Sequence, residues 1–532
     1  MKHLELLDCT LRDGGYVNNW AFPYKHIKDT IKGLVEAHID IIECGYTSPK
    51  KPDLLNSSYY SDIKNICKVL PPDPKGSQFV VMINYGEYDL SEIPDCSESG
   101  IDGIRVVFHK KDKANAVSFC EGLINKGYKV FFQPMVALSY TDEEFLELIR
   151  KANEMAPYAF YIVDSFGAMK ADDLLHLFYL VDYNLSPSIR LGFHSHNNLQ
   201  LSYSHAQMLA NQQTERTVII DASIMGMGRG AGNLNTELFA EYLNRTTSAH
   251  YHIPSLLKIM DQVIAPIYQN KYWGYSLPHY LSATHNCHPN YASYLDEKNT
   301  LTYENIHEIF QMMLPEKKVS FDKTYIQNLY LEYQSKQKYN FNLKELRQQM
   351  TGKDILILAP GRSIRDEEER IKNFIQTQNP IVIAVNFLPE RLPEDYIFVS
   401  NLRRWENLKA FNEKQVILTS NLGIESTNIN GYVVDYSSLL NEQDKVKDNA
   451  SMMLLELLYQ LGAEKVYLAG LDGYSMEEKS NFAQPSMEFH KSSSTMQAMN
   501  KGMSIVLSHY AQKISIVFIT KPRYVYLESG DC

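Results

Sequence analysis

The chain has 532 residues, 44% of them hydrophobic and 22% charged, with a formal net charge of -11. That length exceeds one ordinary domain and predicts two or three, while the acidic balance argues against a nucleic-acid surface. No apolar run reaches the roughly 18–20 residues of a membrane helix, residues 1–8 enter a strand at once without room for a signal peptide, and seven scattered cysteines without a CxxC pair predict a cytoplasmic protein with reduced thiols.

Short apolar runs at 4–8, 39–44, 79–84, 103–108, 129–134, 160–164, 190–194 and 217–221 alternate with amphipathic stretches such as 25–37, 114–126, 142–155, 172–181 and 199–210. Near-continuously apolar strands separated by helices predict a parallel sheet covered on both faces. Eight such units in residues 1–250 predict an α/β domain of (β/α)8 TIM-barrel type. The competitor is an open doubly wound sheet, which would be expected to carry a Gly-rich phosphate turn after its first strand. Residues 251–350 are tyrosine-rich, with helical patterns at 253–263, 303–313 and 324–336, and are expected to form a helical extension over the barrel mouth. A polar stretch at 336–351 marks a boundary. Residues 351–532 then predict a smaller Rossmann-like α/β domain with strands at 354–358, 381–386, 396–400, 415–419, 431–436, 465–469 and 514–519.

Asp13, Glu43, Asn84, Asp164, His194, His196 and the loop 226–233 all fall at or just past the carboxyl ends of predicted barrel strands, the face where this fold builds active sites. Side chains on a strand alternate with period two, so His194 and His196 point the same way. With Asp13 and the amide of Asn233 they offer a mixed nitrogen and oxygen set. That set suits Mn²⁺ or Mg²⁺, with Co²⁺ and Zn²⁺ as alternatives, and leaves positions open for a bidentate substrate. No cysteine joins the set, which argues against a closed structural zinc site.

The segment Leu7-Asp8-Cys9-Thr10-Leu11-Arg12-Asp13-Gly14-Gly15, the stretch 192–201 and the loop 228–233 together resemble the three motifs of the pyruvate-type TIM-barrel metallolyases. Pro289-Asn290-Tyr291-Ala292-Ser293-Tyr294-Leu295 is similar to a segment of the 4-hydroxy-2-oxovalerate aldolases within that superfamily. The resemblance covers residues 1 to about 345. It implies that Asp13, His194 and His196 ligate a divalent metal, with Asn233 as a fourth ligand or a support. It further implies a catalytic role for Arg12 and an active-site position for Tyr291. Where the aldolases carry a histidine three residues after the ligand aspartate, this chain has Tyr16. A tyrosine with a pKa near 10 is a poor base at neutral pH, so His288, His285 or a metal-bound water is a candidate to take over that role.

A 2-oxo acid chelates a metal that then polarises its ketone. Arg12 can stabilise the enolate oxygen left when the next carbon–carbon bond breaks, or form a salt bridge to Glu43 or Asp164. Glu43, Asp164 and Ser165 are expected to hold the substrate and support Arg12, against the plainer reading of strand-end capping.

In the last domain, Ala359-Pro360-Gly361-Arg362-Ser363 follows an apolar strand, and Ala469-Gly470-Leu471-Asp472-Gly473-Tyr474 follows another. A turn of this kind can cradle a phosphate at a helix N-terminus. The combination resembles a nucleotide-binding domain of sialyltransferase-like and pterin-pyrophosphokinase-like proteins, and implies a nucleotide or nucleotide-sugar site at Gly361, Ser363 and Asp472. The alternative is a docking or dimerisation domain.

The expected activity is a metal-dependent aldolase acting between a 4-hydroxy-2-oxo acid, pyruvate and an aldehyde, which the C-terminal domain suggests is carbohydrate-derived. A homo-oligomer and a dehydrogenase partner are expected beside it. The rivals are a Claisen synthase using acyl-CoA, a hydroxymethylglutaryl-CoA-type lyase, whose expected loop cysteine is absent from 226–233, and a non-catalytic barrel scaffold.

Overall fold

The computed structural model describes residues 4–50, 55–408, 415–424, 429–475, 481–488 and 491–524. It divides into two compact units, Met1–Ala292 with Leu314–Phe321, and Ser293–Met313 with Asp322–Cys532. The helical segment expected as one extension over 251–350 is therefore shared between the units.

The first unit is a barrel. Its strands are β1 (Leu4–Asp8), β2 (Ile41–Thr47), a two-residue β3 (Tyr59–Tyr60), β4 (Gln78–Asn84), β5 (Gly103–Phe108), β6 (Lys129–Pro134), β7 (Ala159–Asp164), β8 (Arg190–Ser195) and β9 (Val218–Ala222). All pairings are parallel. β1 pairs with β9 along Leu4↔Val218 to Asp8↔Ala222 and with β2 at Leu7↔Ile41, which closes eight strands into a ring. β3 is an addition to the expected set, pairing with the end of β2.

Alternation along the strands builds two separate cores. Leu6, Ile42, Val81, Ile104, Phe132, Ile162, Phe193 and Ile220 pack with the surrounding helices. Their neighbours Leu7, Ile41, Val80, Phe131, Tyr161 and Ile219 pack with one another and fill the barrel interior, as period-two geometry requires. Glu43, Arg105, Gln133, His194 and Asp221 have the parity of this inner set, while Asp8 and Asp164 have that of the outer one. The covering helices are amphipathic. The helix Asp142–Met155, for example, starts on a Thr141–Glu144 capping box and buries Phe145, Leu148, Ile149, Ala152 and Met155.

The second unit carries the seven expected strands, β10 (Ile355–Leu358), β11 (Ile381–Val385), β12 (Tyr396–Val399), β13 (Gln415–Thr419), β14 (Gly431–Val434), β15 (Lys465–Ala469) and β16 (Ser515–Phe518). They form one parallel sheet in the order β14-β13-β12-β11-β10-β15-β16. The direction of winding reverses between β10 and β15, the position where open α/β sheets leave a crevice. The apolar helix Ala450–Gln460 covers one face, capped by Asn449, whose side chain accepts from the amides of Ser451 and Met452.

Candidate metal centre

Asp13 ends the short helix Thr10–Asp13 that comes directly after β1. His194 lies on β8, and His196 stands just past it, held by an isolated bridge to Asn233 in the loop after β9. Ligand atoms of Asp13, His194 and His196 all lie within 4.8 Å of one another, and all three residues are buried. Asn233 Nδ2 donates to Asp13 Oδ2 at 2.7 Å. A Cβ on Gly228 would lie 2.5 Å from both Asp13 Oδ2 and Asn233 Nδ2, so only glycine lets the loop backbone approach this closely.

The electrostatics suit a cation. Burial alone would raise the Asp13 carboxyl, but Arg12, the two histidines and Arg229 outweigh it and hold it well below the ordinary carboxylate range. Burial first, opposed by Asp13, pushes His196 down to about 3, so its ring is neutral and able to ligate. His196 Nδ1 and Asn233 Oδ1 are buried and make no hydrogen bond, which is costly unless something else satisfies them. An ionised carboxylate, two imidazole nitrogens and an unsatisfied amide oxygen fit a divalent cation.

A buried charge network lies beneath these residues. His194 Nδ1 is 3.0 Å from Asp221 Oδ2, leaving Nε2 for the metal position, a pairing that fixes ring and tautomer. Asp221 also accepts from Tyr161 at 3.0 Å and pairs with Arg105. Arg105 is fully buried and lies 2.9 Å from Glu43 Oε2. Turning the Gln133 amide brings its oxygen 2.7 Å from Arg105. Glu43 in turn accepts from Arg12 Nε at 2.7 Å, and Arg12 NH1 lies 2.5 Å from Asp13 Oδ1. Two arms of Arg12 are thus fixed, and its NH2 is buried without a partner. Sequence reasoning does not single out Asp221, Arg105, Gln133 or Tyr161. The signal for them is an arginine inside the apolar run Gly103–Phe108 and an acid closing the last barrel strand.

The remaining candidates sit at several distances from this network. Glu43 joins the cluster by holding both arginines. Asp164 faces the helices, where it accepts from the amides of Ala168 and Met169, and burial raises its pKa to about 7. Ser165 Oγ accepts from the Val136 amide, and its carbonyl accepts from Arg229. Tyr16 is 43% exposed, edge-on to Trp20 at 4.8 Å, with Arg229 over its ring at 5.6 Å. Desolvation nonetheless raises its pKa above the ordinary tyrosine value, against the pull of Arg229 and Arg12. His288 packs against Phe166 and Phe321, accepts from the Asn290 amide at Nδ1, and is pushed down to about 3 by burial and then Arg229. Tyr291 is fully buried, and its hydroxyl reaches the carbonyls of Lys317 and Ser320.

A family model described as HMGL-like matches residues 3–263. Residues 3–263 are an HMGL-like domain. The chain is similar to the 4-hydroxy-2-oxovalerate aldolase of Pseudoalteromonas translucida, 26% identical over 262 residues, or 49% of this chain and 74% of that one. The corresponding aldolase of Bacillus thuringiensis is 23% identical over 270 residues, 50% of this chain and 77% of its own. Among solved structures, the N-terminal domain of a candidate aldolase from Bacteroides vulgatus is similar to 56% of this chain over 98% of its own length, with 26% identity and a TM-score of 0.47.

In the second unit, the turn after β10 does not offer a free phosphate cradle. Asp472, after β15, accepts from the Ser363 amide at 2.8 Å and pairs with the Ser363 hydroxyl, while the Gly361 amide donates to the Gly470 carbonyl. A carboxylate already holds the place an anion would take. Beside it, at the β10–β15 reversal, lies a cavity of about 220 Å³ lined by residues including Pro360, Asn401, Asn449, Asp472 and Lys491. Burial, then Lys298, pushes Lys491 down to about 8.

Proposed function

We propose that the barrel is a divalent-metal-dependent pyruvate aldolase that forms and cleaves a 4-hydroxy-2-oxo acid. The observation that carries this reading is the convergence of Asp13, His194 and His196 within 4.8 Å, beside an arginine whose one unpartnered nitrogen, NH2, is buried next to them. The aldolases similar to this domain act, by their names, on 4-hydroxy-2-oxovalerate. A cation held by Asp13, His194 and His196, of which Mn²⁺ and Mg²⁺ are the leading candidates, supplies Lewis acidity toward the keto and carboxylate oxygens of a 2-oxo acid.

The chain's own groups do the rest. Glu43 and Asp13 clamp two arms of Arg12, so its NH2 is preorganised to donate to the keto oxygen as negative charge develops there. Tyr16, protonated at neutral pH as tyrosines are and with its pKa raised further by desolvation, donates a hydrogen bond to the aldehyde oxygen as the new bond forms. His288, with Nδ1 accepting a backbone amide, carries its proton on Nε2 and serves as a second donor. Purified protein reconstituted with Mn²⁺ is expected to release pyruvate from 4-hydroxy-2-oxo acids, monitored by coupled lactate dehydrogenase. Absence of turnover in both directions across a panel of aldehydes overturns the reading.

A second reading concerns the α/β unit, which we propose binds a nucleotide or nucleotide sugar in the cavity at the β10–β15 reversal. Its support is the location of that cavity in a crevice typical of ligand sites. With Asp472 filling the Ser363 turn, the phosphates lie toward Lys491 instead. Calorimetric titration with nucleoside mono- and diphosphates and their sugar conjugates tests it, and no saturable heat from any of them rejects it.

A further inference from the structure

Arg229 stands in the glycine-dense loop after β9, at the rim of the metal centre, and among the described residues it has no carboxylate partner of its own. Its NH2 donates to the Ser165 carbonyl at 2.9 Å, its guanidinium lies over the Tyr16 ring, and its Nε is buried without a partner. Among the described residues no carboxylate forms an ion pair with it. Its charge acts on Asp13, His196, Tyr16, His109 and His288. Of these only Asp13 is an anion, and Asp13 is already engaged by Arg12 and Asn233. A half-buried guanidinium with an idle donor and no counter-ion among the described residues is expensive unless a ligand supplies the negative charge.

The neighbours of Arg229 say which part of the ligand this is. Arg12, fixed by Glu43 and Asp13, serves the 2-oxo acid end. The neighbours of Arg229 include groups with no contact to Arg12's clamp: the Ser165 carbonyl and the Tyr16 ring, with its charge also felt by His109 just past β5 and by His288 in the segment after the barrel. We propose that Arg229 binds a carboxylate or phosphate carried by the aldehyde, so that the aldehyde substrate of this enzyme is an anion. The inference rests on the aldolase reading and names the class of its second substrate. A planar fork of donors suits either anion bidentately.

The test uses the Mn²⁺-loaded full chain, pyruvate and two matched pairs of aldehydes, succinic semialdehyde against butanal for a carboxylate and glyceraldehyde 3-phosphate against glyceraldehyde for a phosphate. In at least one pair the anionic member is expected to exceed the neutral one in kcat/KM by on the order of 30–100-fold, the worth of a charge-assisted contact, and the pair that responds identifies the anion. Arg229→Gln is expected to bring that ratio near one, and Arg229→Lys to keep part of it. A ratio is read because a merely structural role for Arg229 would lower both rates together. Exchange of the pyruvate methyl protons in D₂O by the wild-type enzyme is monitored in parallel by NMR. No exchange rejects the aldolase reading and this inference with it. Exchange with equal use of neutral and anionic aldehydes, or a preference that survives Arg229→Gln, rejects this inference alone.

Discussion

Asp221 Oδ2 lies 3.0 Å from His194 Nδ1, so a carboxylate on the last barrel strand orients a ligand on the strand beside it. Replacing Asp221 by asparagine keeps the shape but removes the charge that favours the Nδ1-protonated ring. Metal affinity measured by calorimetry is expected to fall by about 10- to 100-fold. An unchanged dissociation constant would mean that the pairing has no bearing on the ligand.

His196→Ala removes a buried ring that nothing else replaces. The variant is expected to retain less than one equivalent of Mn²⁺ after dialysis, by metal analysis, while far-ultraviolet circular dichroism stays that of the wild type. Stoichiometric metal in this variant would relocate the centre.

Arg12→Lys keeps a positive charge but loses the fork that touches Glu43 and Asp13 at once. If NH2 is the donor to the developing oxyanion, kcat is expected to fall by about 10²–10³-fold with KM for pyruvate changing far less. A change confined to KM would assign Arg12 to binding alone.

Arg105 bridges Glu43 and Asp221 at the base of the site. Arg105→Met leaves two buried carboxylates facing each other, and denaturant unfolding of the barrel is expected to show a loss of about 3–5 kcal/mol. A change below about 1 kcal/mol would show that the network relaxes without it.

Burial raises the Asp8 carboxyl to about 6, although it accepts from Thr236 and Thr10. A carboxyl raised on folding favours the native state while protonated and loses that advantage as pH climbs from its unfolded value near 4 through 6. Asp8→Asn, which cannot ionise, is therefore expected to gain in Tm relative to wild type across pH 4–6 and to hold the gain above it. A difference in Tm that does not vary with pH would exclude this account.

Much of the architecture was legible because it depends on periodicity. The eight barrel strands and the seven of the second sheet stand where apolar runs predicted them, within a few residues. The convergence of Asp13, His194, His196 and Asn233 was legible because all four lie at or past the carboxyl ends of barrel strands, on one rim. The interior network was harder. Arg105 and Asp221 look, in one dimension, like accidents within apolar runs, and only the parity of the neighbouring strands turns them inward. The same parity turns Asp164 outward, toward the amides of Ala168 and Met169, although it ends its strand just as Glu43 lies on β2. Asp472 was legible as a turn residue, but its occupation of the Ser363 turn depends on two strands lying side by side, which no local pattern encodes.

From Gly226 to Gly232 the loop after β9 leaves one position open. A side chain at Gly226, Gly228, Gly230 or Gly232 would collide with Asn233, Asp13, Asn198 or the Gly226 carbonyl, and Met227 and Ala231 are committed to the interior. Position 229 is thus where this stretch tolerates variety. Saturation mutagenesis aimed at altered aldehyde range should return its productive clones there, while libraries spread over the glycines should return mostly metal-free or misfolded protein.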